Sequence, residues 1–398
     1  MSLSSYRPAV LSTARLSLRV YFTAFWVLLS TSLAHAEDIT LTSSLGFSRT
    51  CTSQLQQKET QKRSDAQAIA WVVCRDTDLA RNLITWATQG FKRIQSENLS
   101  IETIVAEVGK KIDEVIGHMG QTRRVLAKLQ LHQSIALRVS PSQWQIDLNG
   151  DGEISVWEKY FFAIPERNSS SLHFGMPHEN ESYYQQHYQA DAQIDVDQSD
   201  VLWALAYHQF IEGLLVNIRA FEVHPSDWSV SLERPVLLAT AHRLIGDGFA
   251  TSERMRHTVL TETDDSNEWI ANPNQKNSVF PLALDADDFQ TWRAAMSEAQ
   301  ATWQGNHLLP TSRNGRGILA QIAPLCAENQ GLNIAQLYLK PPPKGFRISL
   351  SSALPDFGKA CKTVTKAQPL SRMEEIVQRG KSADAIGMKS LRYLYWIN

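Results

Sequence analysis

The sequence predicts a mainly α fold: an irregular helical domain with a turn-rich C-terminal part that holds short strands. Three observations carry this expectation. Apolar residues recur at helical spacing through long stretches, as at Ile101, Ile104, Val105, Val108, Ile112, Val115 and Ile116. Capping residues and breakers bound these stretches, among them Ser100, Pro141, Ser199 and Asp200. Beyond Pro310 the character changes to turn signals, in the basic 313–317 patch and in Pro341-Pro342-Pro343.

Residues 1–36 read as a secretory signal. Arg7, Arg15 and Arg19 form a basic start, residues 21–33 an apolar run, and Ala34-His35-Ala36 a cleavage site. The run is short of the ~20 residues that span a bilayer, although the long basic start also suits a retained anchor. Removing it takes three Arg and no acid, so 36 basic residues face 41 acidic ones, a net charge of −5 against −2 for the whole chain. Mild acidity argues against nucleic acid, which is bound through clustered Lys and Arg. No second apolar segment looks long enough to cross a membrane. What remains, 37–398, is read as one large helical unit, with a subdivision at 140/141 as the alternative.

Cys51, Cys74, Cys326 and Cys361 are the four cysteines. An even count in an exported chain suggests disulfides. Nearness favours Cys51–Cys74 and Cys326–Cys361, though the sequence leaves all three pairings open.

Segment 37–63 is polar and reads as irregular. Helices are expected over 76–94, from Ser100 onward with Gly117 and Gly120 punctuating it, and over 122–138. Pro141 suits the first position of a new short helix capped by Ser140. After that comes the most specific stretch, residues 147–158. Asp147, Asn149 and Asp151 alternate along it, Gly152 sits where a sharp turn needs no Cβ, and Glu153, Ser155 and Glu158 follow. The pattern resembles the calcium loop of the EF-hand family. That resemblance implies side-chain oxygens at Asp147, Asn149 and Asp151, a carbonyl at Glu153, a water held by Ser155 and both oxygens of Glu158 on one Ca2+ ion. Ile154 stands where paired EF-hands meet across a strand contact. The exit arm is short and aromatic and stops at Pro165, so a single loop on short arms is expected, unlike a calmodulin-type sensor.

His173, His178 and His187 lie in a polar connection, where a solvated loop is preferred over a transition-metal site because the spacing fits no zinc signature. Asp195, Asp197 and Asp200 begin like a second calcium loop, but Asp200 replaces the glycine and Ala206 the closing acid. A helix start capped by Ser199 or Asp200 is the better account, opening a core helix over 201–221. Residues 235–245 and 252–261 read as two helices broken by Gly246-Asp247-Gly248, and 287–304 as another. A strand is expected over 346–350, and an apolar end over 391–397.

The second unusual stretch is acidic: Glu262, Asp264, Asp265, Asn267 and Glu268, followed by Trp269, Ile270 and Pro273. Together with the calcium-type loop and Asp200–Trp203, it is similar to an uncharacterised group of exported bacterial EF-hand proteins, over roughly residues 100–398. Ala271 stands where that pattern has proline, and the group implies no activity. Its crowded carboxylates suggest a functional cleft that serves as a second cation site, hydrogen-bonds sugar hydroxyls or does acid–base work. The bland alternative is a solvated turn, or one paired with Arg254, Arg256, Arg313 or Arg316.

The common nucleophile, phosphate-loop and dinucleotide motifs are missing. The expectation is therefore an exported protein that uses calcium structurally and works as an envelope or extracellular binding module, its partner an envelope polymer or an exported protein. The alternative is a calcium-stabilised periplasmic hydrolase acting on a glycan through the carboxylates of 262–268.

Overall fold

The computed structural model describes residues 39–97, 99–131, 136–166, 180–281, 284–311, 325–349, 358–373 and 375–376. The signal segment, His173, His178, Arg313, Arg316 and the apolar end lie outside the described residues. The chain is mainly helical. It divides into two compact units whose segments alternate in sequence: 1–97, 125–201 and 259–284 in one, 98–124, 202–258 and 285–398 in the other. Position 140/141 is not among these boundaries.

The first unit begins with α1 (Ser44–Leu55) and α2 (Asp65–Glu97). Segment 37–63 is therefore not irregular throughout. Ile39, Leu41 and Phe47 are buried while Leu45 stays exposed, Ser43 caps α1 by accepting from Gly46 N, and a Cys51–Cys74 disulfide ties α1 to α2. Helix α2 starts well before residue 76, because residues 68–74 are apolar on every side and sit in the core, which hides the one-sided period. Trp144 anchors the centre: its ring stacks on Phe47 at 4.8 Å and meets Phe162 edge-on at 5.6 Å, and its Nε1 donates to Leu41 O at 2.8 Å. The chain passes through β1 (Leu137–Val139), a 3-10 turn at Pro141–Gln143, α4 (Val156–Lys159, numbered after α3 below) and β2 (Ile164–Pro165). It continues through α5 (Glu181–His187), β3 (Tyr188–Gln189) and β4 (Ile194–Val196). Strands β1 and β4 pair antiparallel, Leu137 opposite Val196, and β2 pairs with β3. Pro141 does open a short helix, although Ser140 makes no side-chain cap.

The second unit holds most of α3 (Ile101–Leu126), α6 (Gln198–Arg219) and α7 (Val236–Thr261), with α8 (Ala286–Trp303) and α9 (Ile334–Leu339). Ser100 caps α3 through Thr103 N at 3.2 Å. The helix runs on past Gly117 and Gly120 to Leu126, and β1 occupies part of the stretch expected to be helical up to 138. Helix α7 is likewise continuous through Gly246 and Gly248. The glycines there serve packing: a Cβ at Gly248 would lie 2.8 Å from the Phe210 ring of α6, and one at Gly213 would lie 2.7 Å from Ile245 Cγ1. Val216, Ala241 and Leu244 form a core between these two helices. At 22 residues and a mean hydropathy of 1.3, α6 is long and apolar enough to cross a bilayer, contrary to the expectation of no second such segment; 61 % of the window is buried by protein. Arg123 pairs with Glu212 and Asp113 with Arg219, so these two charges of the helix are met within the unit.

Short strands appear as expected. β5 (Phe221–His224), β6 (Ser229–Leu232) and β8 (Phe346–Ser349) form an antiparallel sheet in the order β5-β6-β8. β7 (Gln330–Leu332) pairs with β9 (Cys361–Thr363), and the Cys326–Cys361 disulfide joins this pair to a small cluster of Leu332 and Ala360. Two disulfides fit an oxidising environment.

Candidate metal centre

Residues 147–158 form a tight loop wound on its own side chains. Asp147 accepts from Gly150 N at 2.6 Å and Gly152 N at 3.0 Å. Asn149 accepts from Asp151 N, and Asp151 from Glu153 N. That Glu153 N–H, and then the Asn149 amide, hold the Asp151 carboxyl below the usual range. Gly150 and Gly152 take φ of +76° and +91°, the left-handed region where a Cβ would be strained. Thr85 of α2 clasps the loop by donating to Leu148 O at 3.0 Å.

Glu158 is the most constrained member. It is fully buried and accepts four hydrogen bonds: Leu148 N at 2.9 Å and Asn149 N at 3.1 Å on Oε1, Ser155 N at 2.8 Å and Ser155 Oγ at 2.6 Å on Oε2. The donor set of this loop (carboxylates, an amide oxygen, a carbonyl, a hydroxyl) is all hard oxygen and suits calcium. Carboxylate oxygens carry two acceptor sites each; those of Asp147 and Asp151 accept one bond apiece and keep capacity for an ion, whereas each oxygen of Glu158 already accepts two and would give up donors to an ion. Ile154 is 42 % exposed, and no strand pairs with it among the described residues.

The acidic stretch divides in two. Asp264 and Asp265 face outward; Asp265 accepts from Lys276 N and Asn277 N at 2.9 and 2.7 Å. Glu262 and Glu268 turn inward and meet Asp197, each offering an oxygen within 4.8 Å of the others. Asn267, at φ +52°, reverses the chain, and its Nδ2 donates to Asp195, itself paired with Arg138 at 2.5 Å. Asn272 holds the turn by donating to Val259 O and Glu262 O. Trp269 and Ile270 are buried, Trp269 edge-on to Phe280 at 5.0 Å, and pin the segment as its composition suggests.

Burial, then the Asp197 charge, pushes the Glu262 carboxyl up to about 9. Burial also raises Glu268, to about 8, against the pull of the Ser266 N–H. Asp200, only 4 % exposed, is raised well above its ordinary value by burial and by Asp197. Of the arginines expected as partners, Arg256 pairs with Glu253 and Arg254 donates to Thr251, while Arg313 and Arg316 lie outside the described residues.

Asp197, which the sequence places in a stretch that begins like a second calcium loop, stands beside Glu262 and Glu268. The cap of α6 is Asp197 rather than Ser199 or Asp200: its Oδ1 accepts from Ser199 N at 2.8 Å and Asp200 N at 3.1 Å, and Asp200 returns a bond to Asp197 N. His187 ends α5 stacked on Tyr183, with no second described histidine recorded beside it. Comparison with known protein families, curated proteins and solved structures returns no match.

Proposed function

We propose that this is an exported calcium-binding protein that uses the ion structurally in its 147–158 loop and acts as a binding module in the envelope or outside the cell. Asp147, Asn149, Asp151 and Glu158 would hold calcium by side-chain oxygens, Glu153 by its carbonyl and Ser155 through a water. The observation that carries this reading is the buried Glu158 carboxylate, which draws both ends of an all-oxygen loop together. Two disulfides support export. Extracellular loops of this kind bind at about 10⁻⁴–10⁻³ M, which suits a structural ion.

The glycan-hydrolase alternative draws less support. Its carboxylates approach within 4.8 Å, closer than the ~5–5.5 Å of a retaining pair, and they are largely buried.

Thermal unfolding with calcium and with chelator tests the proposal. At free calcium tenfold above the dissociation constant, the ion should add about 1.4 kcal/mol. No shift in melting temperature, together with no heat of binding in titration, would remove it.

A further inference from the structure

The β5–β6 hairpin pairs His224 with Ser229, and residues 225–228 form its loop. Trp228, the last of them, takes φ of +50°, in the left-handed region that strains a residue with a Cβ. The other non-glycine residues at positive φ among the described residues are both asparagines, Asn267 and Asn329, a type that tolerates this conformation. Trp228 is also 65 % exposed, so its ring does not offset the strain by packing into a core. A strained backbone and a large exposed apolar ring thus coincide at one residue, where asparagine or glycine would cost less.

Both chain neighbours of Trp228 are held by one side chain. Arg347 of β8 donates from Nε to Ser229 Oγ and from Nη2 to Asp227 Oδ1, the latter at 3.0 Å. Ser229 Oγ donates in turn to Asp227 Oδ1 at 2.8 Å and holds that carboxyl below its usual range. Opposite Ser229, His224 Nε2 meets Ser231 Oγ at 2.7 Å, and that hydroxyl donates to Glu233 Oε1 at 2.8 Å. Although fixed in this way, the Asp227 and Arg347 side chains stay about half exposed. Charge on the face is also balanced: Asp227 answers Arg347, Glu233 answers Lys344, and Glu222 acts on Arg219. A phosphate or an anionic lipid surface is drawn to unpaired cations, whereas these paired ones suit an uncharged ligand. A pyranose offers a flat C–H face to an indole, and hydroxyls that both donate and accept to the carboxylate and guanidinium around it.

We propose that Trp228, Asp227 and Arg347 form a binding site for a neutral glycan, with His224 at its edge. The indole stacks on a sugar ring, and the fixed carboxylate and guanidinium hydrogen-bond its hydroxyls. Use of the ring for binding accounts for a tryptophan kept in a conformation that asparagine holds more easily. The inference gives the proposed binding module its ligand class and rests on that reading; it is independent of the 147–158 loop.

Isothermal titration calorimetry of the full chain with cellohexaose, and separately with chitohexaose, tests this. At least one of these sugars should bind, and Trp228→Asn, which removes the ring, should weaken that binding about tenfold or more. The same variant should melt at a higher temperature than the unaltered protein, because asparagine relieves the strained turn. Weaker binding then cannot be put down to misfolding. No binding of either sugar overturns the proposal. Binding that Trp228→Asn leaves unchanged also overturns it, yet leaves the binding-module reading standing; the calcium loop is read only by the chelator comparison. A lower melting temperature for Trp228→Asn counts against the site as well, since the ring would then be a structural prop. Attachment to phosphatidylglycerol vesicles that the variant loses, without sugar binding, overturns the glycan assignment in favour of a lipid surface.

Discussion

Glu158→Gln is the sharpest probe of the loop, because its effect is expected with no ion present. The unaltered carboxylate satisfies three backbone N–H groups and one hydroxyl in a fully buried position. A glutamine can keep its carbonyl oxygen toward Leu148 N and Asn149 N. Its amide nitrogen then faces Ser155, whose hydroxyl can rotate to accept but whose N–H cannot. One charge-assisted bond is lost, a donor is set against a donor, and the surviving bonds go to a neutral acceptor. A lost hydrogen bond to a charged group costs about 1.5–3 kcal/mol, so the variant should be about 3 kcal/mol less stable in chelator. Urea unfolding followed by tryptophan fluorescence measures this as a lower midpoint at unchanged slope. Asp151→Asn, at an exposed position, should by contrast change little in chelator and act only on the calcium response. If Glu158→Gln in chelator lies within about 0.5 kcal/mol of the unaltered protein, the loop does not depend on this carboxylate and the reasoning fails.

Two further outcomes follow from the same structure. Cys51–Cys74 and Cys326–Cys361 close loops with sequence separations of 23 and 35; chain entropy assigns each about 3–4 kcal/mol, so Cys51→Ser with Cys74→Ser should lower the urea midpoint accordingly, and an unchanged midpoint would contradict the entropic estimate. Gly213→Ala, where a Cβ would meet Ile245 at 2.7 Å, should cost about 1–3 kcal/mol, whereas Gly117→Ala, with nothing within 4 Å, should stabilise by about 0.5–1 kcal/mol; both are read by thermal unfolding, and equal effects would refute the close packing of α6 on α7.

What was legible in the sequence was what local chemistry decides. The helical period of residues 101–116, the Ser100 cap, the Pro141 turn and the neighbouring disulfide pairs are each written within a short span. The failures share a cause. Gly246 and Gly248 read as a break because the local preference of glycine is weak in a helix, yet packing against Phe210 overrides it. Residues 44–55 carry too few apolar side chains to announce α1, since its hold comes from Cys74 and Trp144 further along the chain. The acidic stretch is conspicuous in the sequence, but which acids turn inward depends on Asp197, a residue whose nearest sequence role is capping a helix. A contact between segments this far apart leaves no local signal.

The alternation of the two units along the chain has a consequence for biogenesis. Helices α1 and α2 are made first, but their unit also needs 125–201 and 259–284. Neither unit has all of its segments until the chain is at least 284 residues long, so early closure of a finished N-terminal domain is ruled out by connectivity. Such a chain depends on contacts between segments far apart in sequence, which slows folding. It also means that a cut between residues 98 and 284, in truncation or by a protease, divides both units, and stable half-molecules are not expected from such a cut.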